Sequence, residues 1–336
     1  MAYRISIGLQ RLASPRLTAL FFVTSAIGAL AVAQYGVLAT TAMLLPFTLL
    51  ILNLLAAIVT LPRFRADLPL LVFHLALLAL VALFLAARLV YFKGGFILSE
   101  NTAFEGELQV ENSGPLHPRD YRNLRFRNEG FTDALKQGEN DNRTYNRVRW
   151  WNADGRPQVS VIGNDRPVIV DGYRIFATGF SGYSPVFSWQ TDAQPAVLGT
   201  IQLGNREGTG FAHAAAWTAP NSQELWFMLE RDENAPAPAL LGGQIDTRTL
   251  AHSLIVRTDD QRIRIRPGES LQLGGATLTY HHLNTWMGYQ IVYEPMTPWI
   301  IATVATGILS LLWLYGRILF RPLRQGKELH HASLAS

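Results

Sequence analysis

Between Arg16 and Arg63 the chain carries no acidic or basic residue, and two apolar runs fill that interval, Leu17 to Tyr35 and Ala42 to Leu61, joined around GVLATT. A third run, LPLLVFHLALLALVALFLAARLVY at 68–91, has 19 consecutive uncharged residues from Pro69 to Ala87. At about 1.5 Å rise per residue, a run of that length comes close to the roughly 30 Å of bilayer hydrocarbon. A fourth run, Trp299 to Tyr315, follows a long polar region and ends in GRILFRPLRQGK. These runs predict a membrane protein with four transmembrane helices, three N-terminal and one C-terminal, and a large insertion between the third and fourth. The expected segments are 1–92 for the N-terminal arm and three helices, 93–295 for the insertion, 296–317 for the fourth helix and 318–336 for a basic tail. The first run is longer than the apolar part of a secretory signal and no small-residue cleavage pattern follows it, so it is expected to be retained.

Charge sets the expected orientation. Segments flanking the spans hold ten basic residues against two acidic ones, whereas Lys93 to Glu294 holds 19 basic and 23 acidic. All the flanking charges except Arg88 lie in the N-terminal arm, the 62–67 loop and the tail, which places those pieces in the cytoplasm and the insertion outside. The sequence pI of 9.4 is therefore a topology signal, and the slightly acidic insertion argues against nucleic acid as a partner. The chain has no cysteine, so disulfides, thiolate metal sites and C-x-x-C redox chemistry are all excluded from it.

The insertion is long enough to bury a core without staples. Short alternating runs closed by Gly, Asn and Asp, such as RVRWWNADGRPQVSVI and SLIVRTDDQRIRIRPGESLQL, give hairpin signals at NADGRP and TDDQ. An antiparallel β domain with little helix follows, a sandwich being one arrangement that fits. NSGPLHPRDYRN, RDENAPAPALLGG and AAAWTAPNSQ read as loops.

Several motifs carry little weight. NRT at 142–144 matches a glycosylation acceptor by chance frequency. His281 and His282 are adjacent, so on a strand they face opposite ways and make a poor metal pair; His330 and His331 are likewise adjacent. Arg262, Arg264 and Arg266 alternate along one face, and Arg119, Arg122, Arg125 and Arg127 crowd a loop; solvated or partner-docking faces are the expected reading. Trp150 and Trp151 read as core and rim. No Ser/His/Asp set, carboxylate pair or phosphate-cradling loop stands out, so no catalytic residue is named.

His74 is the exception, because ionisable residues inside a span usually face the bundle interior or a functional path. Two readings stand open on spacing alone. The ring could hydrogen-bond a neighbouring helix at Asn53 or Gln34, or its neutral imidazole could ligate a metal or haem iron.

The run FHLALLALVALFLAARLVYFKGGFILSENTAFEGE resembles the ResB (CcsB) family of cytochrome c biogenesis membrane proteins, with a third-span His-Leu-small pattern, an aromatic-Gly-Phe turn and an acidic EGE strand. GYRIFATGFSGYSPVFSW is similar to that family's mid-domain Tyr-Arg strand, and LQLGGATLTYHHLNTWMGYQIVYEPMTPWI to its last hairpin, although YEPMTP stands where Asp-Pro-Gly is expected. The resemblance spans essentially the whole chain. It implies a subunit of the system II cytochrome c synthase in the bacterial cytoplasmic membrane, inactive alone, that helps export haem b and deliver it to apocytochrome c. It implies as partners a ResC (CcsA)-type membrane haem-handling protein and a thioredoxin-like thiol reductant, and it makes His74 one axial ligand of a haem iron. Counting from Pro69 puts that residue about 8 Å into the span. Ala79, Ala82 and Ala86 recur at a spacing that lets another helix approach closely and that equally fits ordinary bundle packing. Two departures accompany the resemblance: the chain is short, and it lacks a tryptophan-rich haem motif, which in that family belongs to the partner. A haem-free structural or assembly subunit of a membrane cytochrome complex is the alternative; a membrane sensor fits less well because the tail is short.

Overall fold

The computed structural model describes residues 11–35, 38–133, 144–191, 194–204, 213–232, 234, 236, 239–241, 244–258 and 261–333. Two residues of the NRT triplet, Asn142 and Arg143, lie outside them. The chain divides into two compact units, one made of residues 1–91, 112–118 and 294–336, the other of 92–111 and 119–293.

The first unit is helical. It contains α1 (Pro15–Tyr35), α2 (Leu38–Thr60), the short α3 (Pro62–Ala66), α4 (Leu68–Val90) and α5 (Thr297–Ser333). Pro62 and Pro69 open α3 and α4 in the first turn, where a missing N–H costs nothing. Leu68–Val90 and Thr297–Arg317 are long and apolar enough to cross a membrane, and only 11% and 6% of their apolar windows is buried, unlike the core helix of a soluble protein. Leu20, Ile27, Leu45, Trp299, Ile301 and Leu312 are exposed on the helix surfaces, an amount of uncovered apolar area that suits lipid better than water. The described apolar stretches of α1 and α2, Pro15–Gly28 and Leu44–Thr60, are shorter. The apolar part of α5 ends at Arg317, and the helix continues to Ser333.

Segment 112–118 folds back on the end of α4, where the Gly114 and Leu116 N–H groups donate to the carbonyls of Tyr91 and Leu89. Gly114 is required there, because a Cβ would overlap the backbone of Leu89.

The second unit is antiparallel β. Its largest sheet has seven strands in the order β2 (Val110–Ser113), β1 (Phe92–Ser99), β16 (Ala276–Tyr293), β7 (Tyr173–Thr191), β6 (Val168–Val170), with β15 (Ser270–Leu273) added on β16 and β8 (Gln194–Thr200) on β7. A three-stranded sheet holds β3 (Phe126–Asp133), β4 (Thr144–Trp151) and β5 (Pro157–Ile162). A four-stranded sheet runs β14 (Arg262–Ile265), β13 (His252–Arg257), β10 (Glu224–Arg231), β9 (Ala214–Thr218), and β11 (Leu240–Leu241) pairs with β12 (Gln244–Ile245). Both expected hairpins are present. Trp151 pairs with Pro157 around a turn in which Gly155 takes φ +74°, and Arg257 pairs with Arg262. AAAWT, expected as loop, is β9: its alanines have weak strand preference, and pairing with β10 overrides it.

The two longest strands, β7 and β16, explain the shape of this unit. They pair along nearly their whole length, and each serves two cores. Tyr173, Ile175, Tyr289 and Ile291 sit in one core with Phe92, Phe126 and Val148, whereas Tyr183, Phe187, Leu278 and Tyr280 sit in the other with Phe227 and Leu254. Strand alternation alone would carry one face through; the register shifts at Tyr280/His282 and Met287/Tyr289 re-aim the side chains between the lobes.

Candidate functional site

His74 lies on the second turn of α4. Its Nδ1 is 2.8 Å from the Leu70 carbonyl oxygen one turn earlier, so Nδ1 carries the hydrogen and donates it. That contact fixes the tautomer and leaves the Nε2 lone pair without a hydrogen-bond partner among the described residues. The Phe64 ring from α3 lies 4.1 Å away, centroid to centroid, at 36°, and Phe73 meets the ring edge-on at 5.5 Å. Phe64 is buried against Ala13, Ala56 and Ala57, and the Arg63 guanidinium sits 5.1 Å over its ring. About two turns before His74, Asp67 Oδ2 accepts from Arg317 at 3.0 Å, an ion pair that ties the start of α4 to α5. Further along, Ala76 is buried where α5 passes, its Cβ within 3.8 Å of the position a Cβ would take on Gly307.

The alternative partners for His74 are engaged or remote. Asn53 is fully buried, but it accepts from Thr18 Oγ1 at 2.6 Å and donates to the Leu12 carbonyl, holding the start of α1 against α2. Gln34 is exposed. The imidazole is thus held by its own helix and by Phe64, not by a neighbouring polar side chain. Ala79 and Ala82 are exposed rather than packed, and the close approach on this helix is made by Ala76.

A haem iron needs a neutral imidazole nitrogen with a free lone pair in the ring plane, and a backbone carbonyl on the other nitrogen is the usual second partner. With a neutral ring His74 would present Nε2 for this, its Nδ1 already donating to the Leu70 carbonyl, and Phe64 covers a π face of the ring rather than the Nε2 edge. One histidine provides one axial bond.

The remaining predicted residues are not brought together. His281 is the extra residue of the β16 bulge; its Nε2 meets Ser188 Oγ at 2.8 Å, and both His281 and His282 are exposed instead of alternating across the sheet. His330 and His331 fall on the helical backbone of α5. Arg264 pairs with Glu230, and Arg262, Arg264 and Arg266 are exposed while Ile263 and Ile265 pack inward. Arg125 and Arg122 lie over the rings of Trp151 and Tyr121 at 5.0 and 5.8 Å. Trp150 packs on the first core, with Nε1 donating to Ser160 Oγ at 3.0 Å.

A polar cavity of about 660 Å³ in the second unit is lined by Glu100, Glu129, Asp246, Arg248 and His282 among others. Its carboxylates are already engaged. Glu100 accepts from Thr285 N and Oγ1, Glu129 pairs with Arg147 and Arg149, and Asp246 with Arg248, whose hydrogen bonds hold the Asp246 carboxyl below its ordinary value. No group of three metal-ligating side chains occurs among the described residues.

Sequence reading missed a buried polar network. Asn128 and Asn146 are both sealed from solvent; Asn146 Nδ2 donates to Asn128 Oδ1 at 2.9 Å and to the Gly130 carbonyl, and Tyr289 donates to Asn146 Oδ1. Asparagine in a strand was the available signal, but asparagine also marks turns. The chain matches no protein-family model and no curated protein.

Proposed function

We propose that this chain is a ResB-type subunit of a system II cytochrome c synthase in the bacterial cytoplasmic membrane. In this reading α1, α2, α4 and the first part of α5 span the bilayer, both termini are cytoplasmic, and the β unit is exported. A ResC (CcsA)-type partner would supply the remaining protein ligand to the haem and the catalytic surroundings, apocytochrome c would receive the haem, and a thioredoxin-like protein would keep its thiols reduced.

The observation that carries this reading is the state of His74 in an apolar helix: Nδ1–H committed to Leu70, Nε2 left with its lone pair. His74 would hold the iron of haem b near the cytoplasmic side, Phe64 would fix the ring plane, and the Asp67–Arg317 pair would steady the start of the helix. Haem, when bound, supplies the vinyl groups that become thioether bonds in the cytochrome. The resemblance in residues 73–107, 172–189 and 271–300 supports the family assignment, and the positive flanks support the orientation.

The test is genetic and spectroscopic. Deleting this chain in its own host, with the partner intact, should abolish covalent haem staining of exported c-type cytochromes, and the purified complex should yield haem b as a pyridine haemochrome. Normal cytochrome maturation in the deletion strain would contradict the proposal. An intact complex without haem would make the chain a structural or assembly subunit.

A further inference from the structure

Asp67 is the only acidic residue in the first 91 of the chain, and Arg317 already takes it. The arginines at the same end of the helical unit have no such partner. Ala13, just before α1, shares a small core with Phe64 of α3 and with Ala56 and Ala57 near the end of α2, and the Asp67–Arg317 pair brings α5 to the same level. Arg11, Arg16, Arg63 and Arg65 therefore lie at one end of this unit, all four exposed and none with a carboxylate partner among the described residues. The short α3 gives two of them a fixed setting. Phe64 points into the unit, buried, with an exposed arginine on either side of it. The Arg63 guanidinium lies over the Phe64 ring at 5.1 Å, a contact that orders a long side chain before any ligand arrives.

An apolar stripe leads to this end. Leu45, Leu52, Leu55 and Val59 of α2 follow one another at seven, three and four residues, so they share one helix face, and they are 67%, 45%, 46% and 53% exposed. From Leu45 to Val59 the stripe runs about 21 Å, more than the roughly 15 Å of hydrocarbon in one leaflet. Leu68, on the other side of α3, is 56% exposed. A diffusible phosphate would need only the arginines, and a neutral amphiphile only the stripe. The two together complement a molecule with an anionic head and a hydrocarbon tail, and basic clusters at the ends of membrane helices attract anionic lipid in general.

We propose that this end of the helical unit is a binding site for an anionic phospholipid, with the Arg63 guanidinium on the headgroup phosphate, Arg65 adding charge beside it, and one acyl chain along Leu52, Leu55 and Val59. A guanidinium offers a phosphate two parallel N–H donors. Zwitterionic lipids also carry a phosphate, but their own ammonium neutralises it, so the site selects headgroups of net negative charge. The proposal rests on reading the helices as membrane-embedded and is independent of haem binding by His74.

The experiment is native mass spectrometry of the full chain, released from detergent micelles after titration with dioleoyl phosphatidylglycerol or, as the zwitterionic comparison, dioleoyl phosphatidylcholine. Phosphatidylglycerol should bind saturably and about tenfold more tightly. Each arginine near a charged headgroup contributes about fivefold, so Arg63→Gln combined with Arg65→Gln should remove most of that preference and leave phosphatidylcholine binding as it was. Leu55→Gln should weaken both lipids. If the double variant does not fold, the wild-type chain still gives a test: raising ammonium acetate from about 50 to about 500 mM should shrink the preference by screening. Glycerol 3-phosphate, an anionic head without a tail, should not displace the lipid. Equal binding of the two lipids, a preference that survives the double variant or the added salt, or displacement by glycerol 3-phosphate would overturn the proposal. A chain that stays in solution without detergent would instead overturn the membrane reading beneath it.

Discussion

Replacing Tyr289 by Phe deletes one hydroxyl from the centre of the first core. That hydroxyl donates to Asn146 Oδ1 at 2.7 Å, and Asn146 commits its amide group to Asn128 Oδ1 at 2.9 Å and Gly130 O at 2.6 Å. Burial pushes the Tyr289 phenol well above its ordinary value, so it remains a donor across the physiological range. Both asparagines are 0% exposed, and water cannot replace the lost donor. The cost is one buried bond plus an orphaned amide oxygen, about 1–3 kcal/mol. Asn146→Leu strands the Tyr289 hydroxyl and takes one donor from the Gly130 carbonyl, for about 3–5 kcal/mol. In that background Tyr289→Phe removes a hydroxyl that is already unsatisfied, so it should cost nothing or stabilise. Guanidinium unfolding of the chain in detergent, followed by tryptophan fluorescence, measures all four proteins as a double-mutant cycle. An equal cost for Tyr289→Phe in both backgrounds would refute the coupling.

Three further outcomes are expected. Gly114→Ala pushes a methyl into the Leu89 carbonyl and should lower the melting temperature, whereas Gly179→Ala, whose Cβ meets nothing within 4 Å, should leave it nearly unchanged; equal melting temperatures would remove the close-approach argument. His252 accepts from Tyr280 through Nε2 at 2.6 Å and donates through Nδ1 to Leu250 O at 2.7 Å, and burial lowers its pKa. The unfolded chain therefore binds the extra proton first as pH falls below about 6.5, so stability should drop through that window, and His252→Gln should flatten the drop; a profile unchanged by the substitution contradicts this. A reporter fused after Gln325 should read cytoplasmic and one placed in 231–239 exported, and the same side for both would break the four-span arrangement.

The helices and the β character of the insertion were legible because both signals are periodic and local: an uncharged run of bilayer length, and alternation closed by NADGRP and TDDQ. What escaped was long-range. Nothing in YRIFATGFSGYSPVFSWQT announces that one strand serves two cores, because that depends on register shifts created by its pairing with β16. AAAWT lacks strand character of its own and becomes a strand through β10. At the candidate site, His74 stood out by composition, but the ring of Phe64 beside it depends on the short α3 turn after Pro62, which the sequence left as a loop. The close approach between helices of this chain falls on Ala76 opposite Gly307, a residue outside the Ala79, Ala82 and Ala86 stripe that the spacing singled out.

The measurement that bears most directly on the proposed role of His74 is the absorption spectrum of the membrane complex carrying His74→Ala, purified with its partner. If His74 binds iron, the variant still inserts and still holds the partner, yet its Soret and α bands are lost or shifted, added imidazole restores part of them, and holocytochrome yield falls in step. A packed histidine would cost only about 1–3 kcal/mol of stability and leave the spectrum alone. An unchanged haem spectrum with full cytochrome maturation would contradict the account.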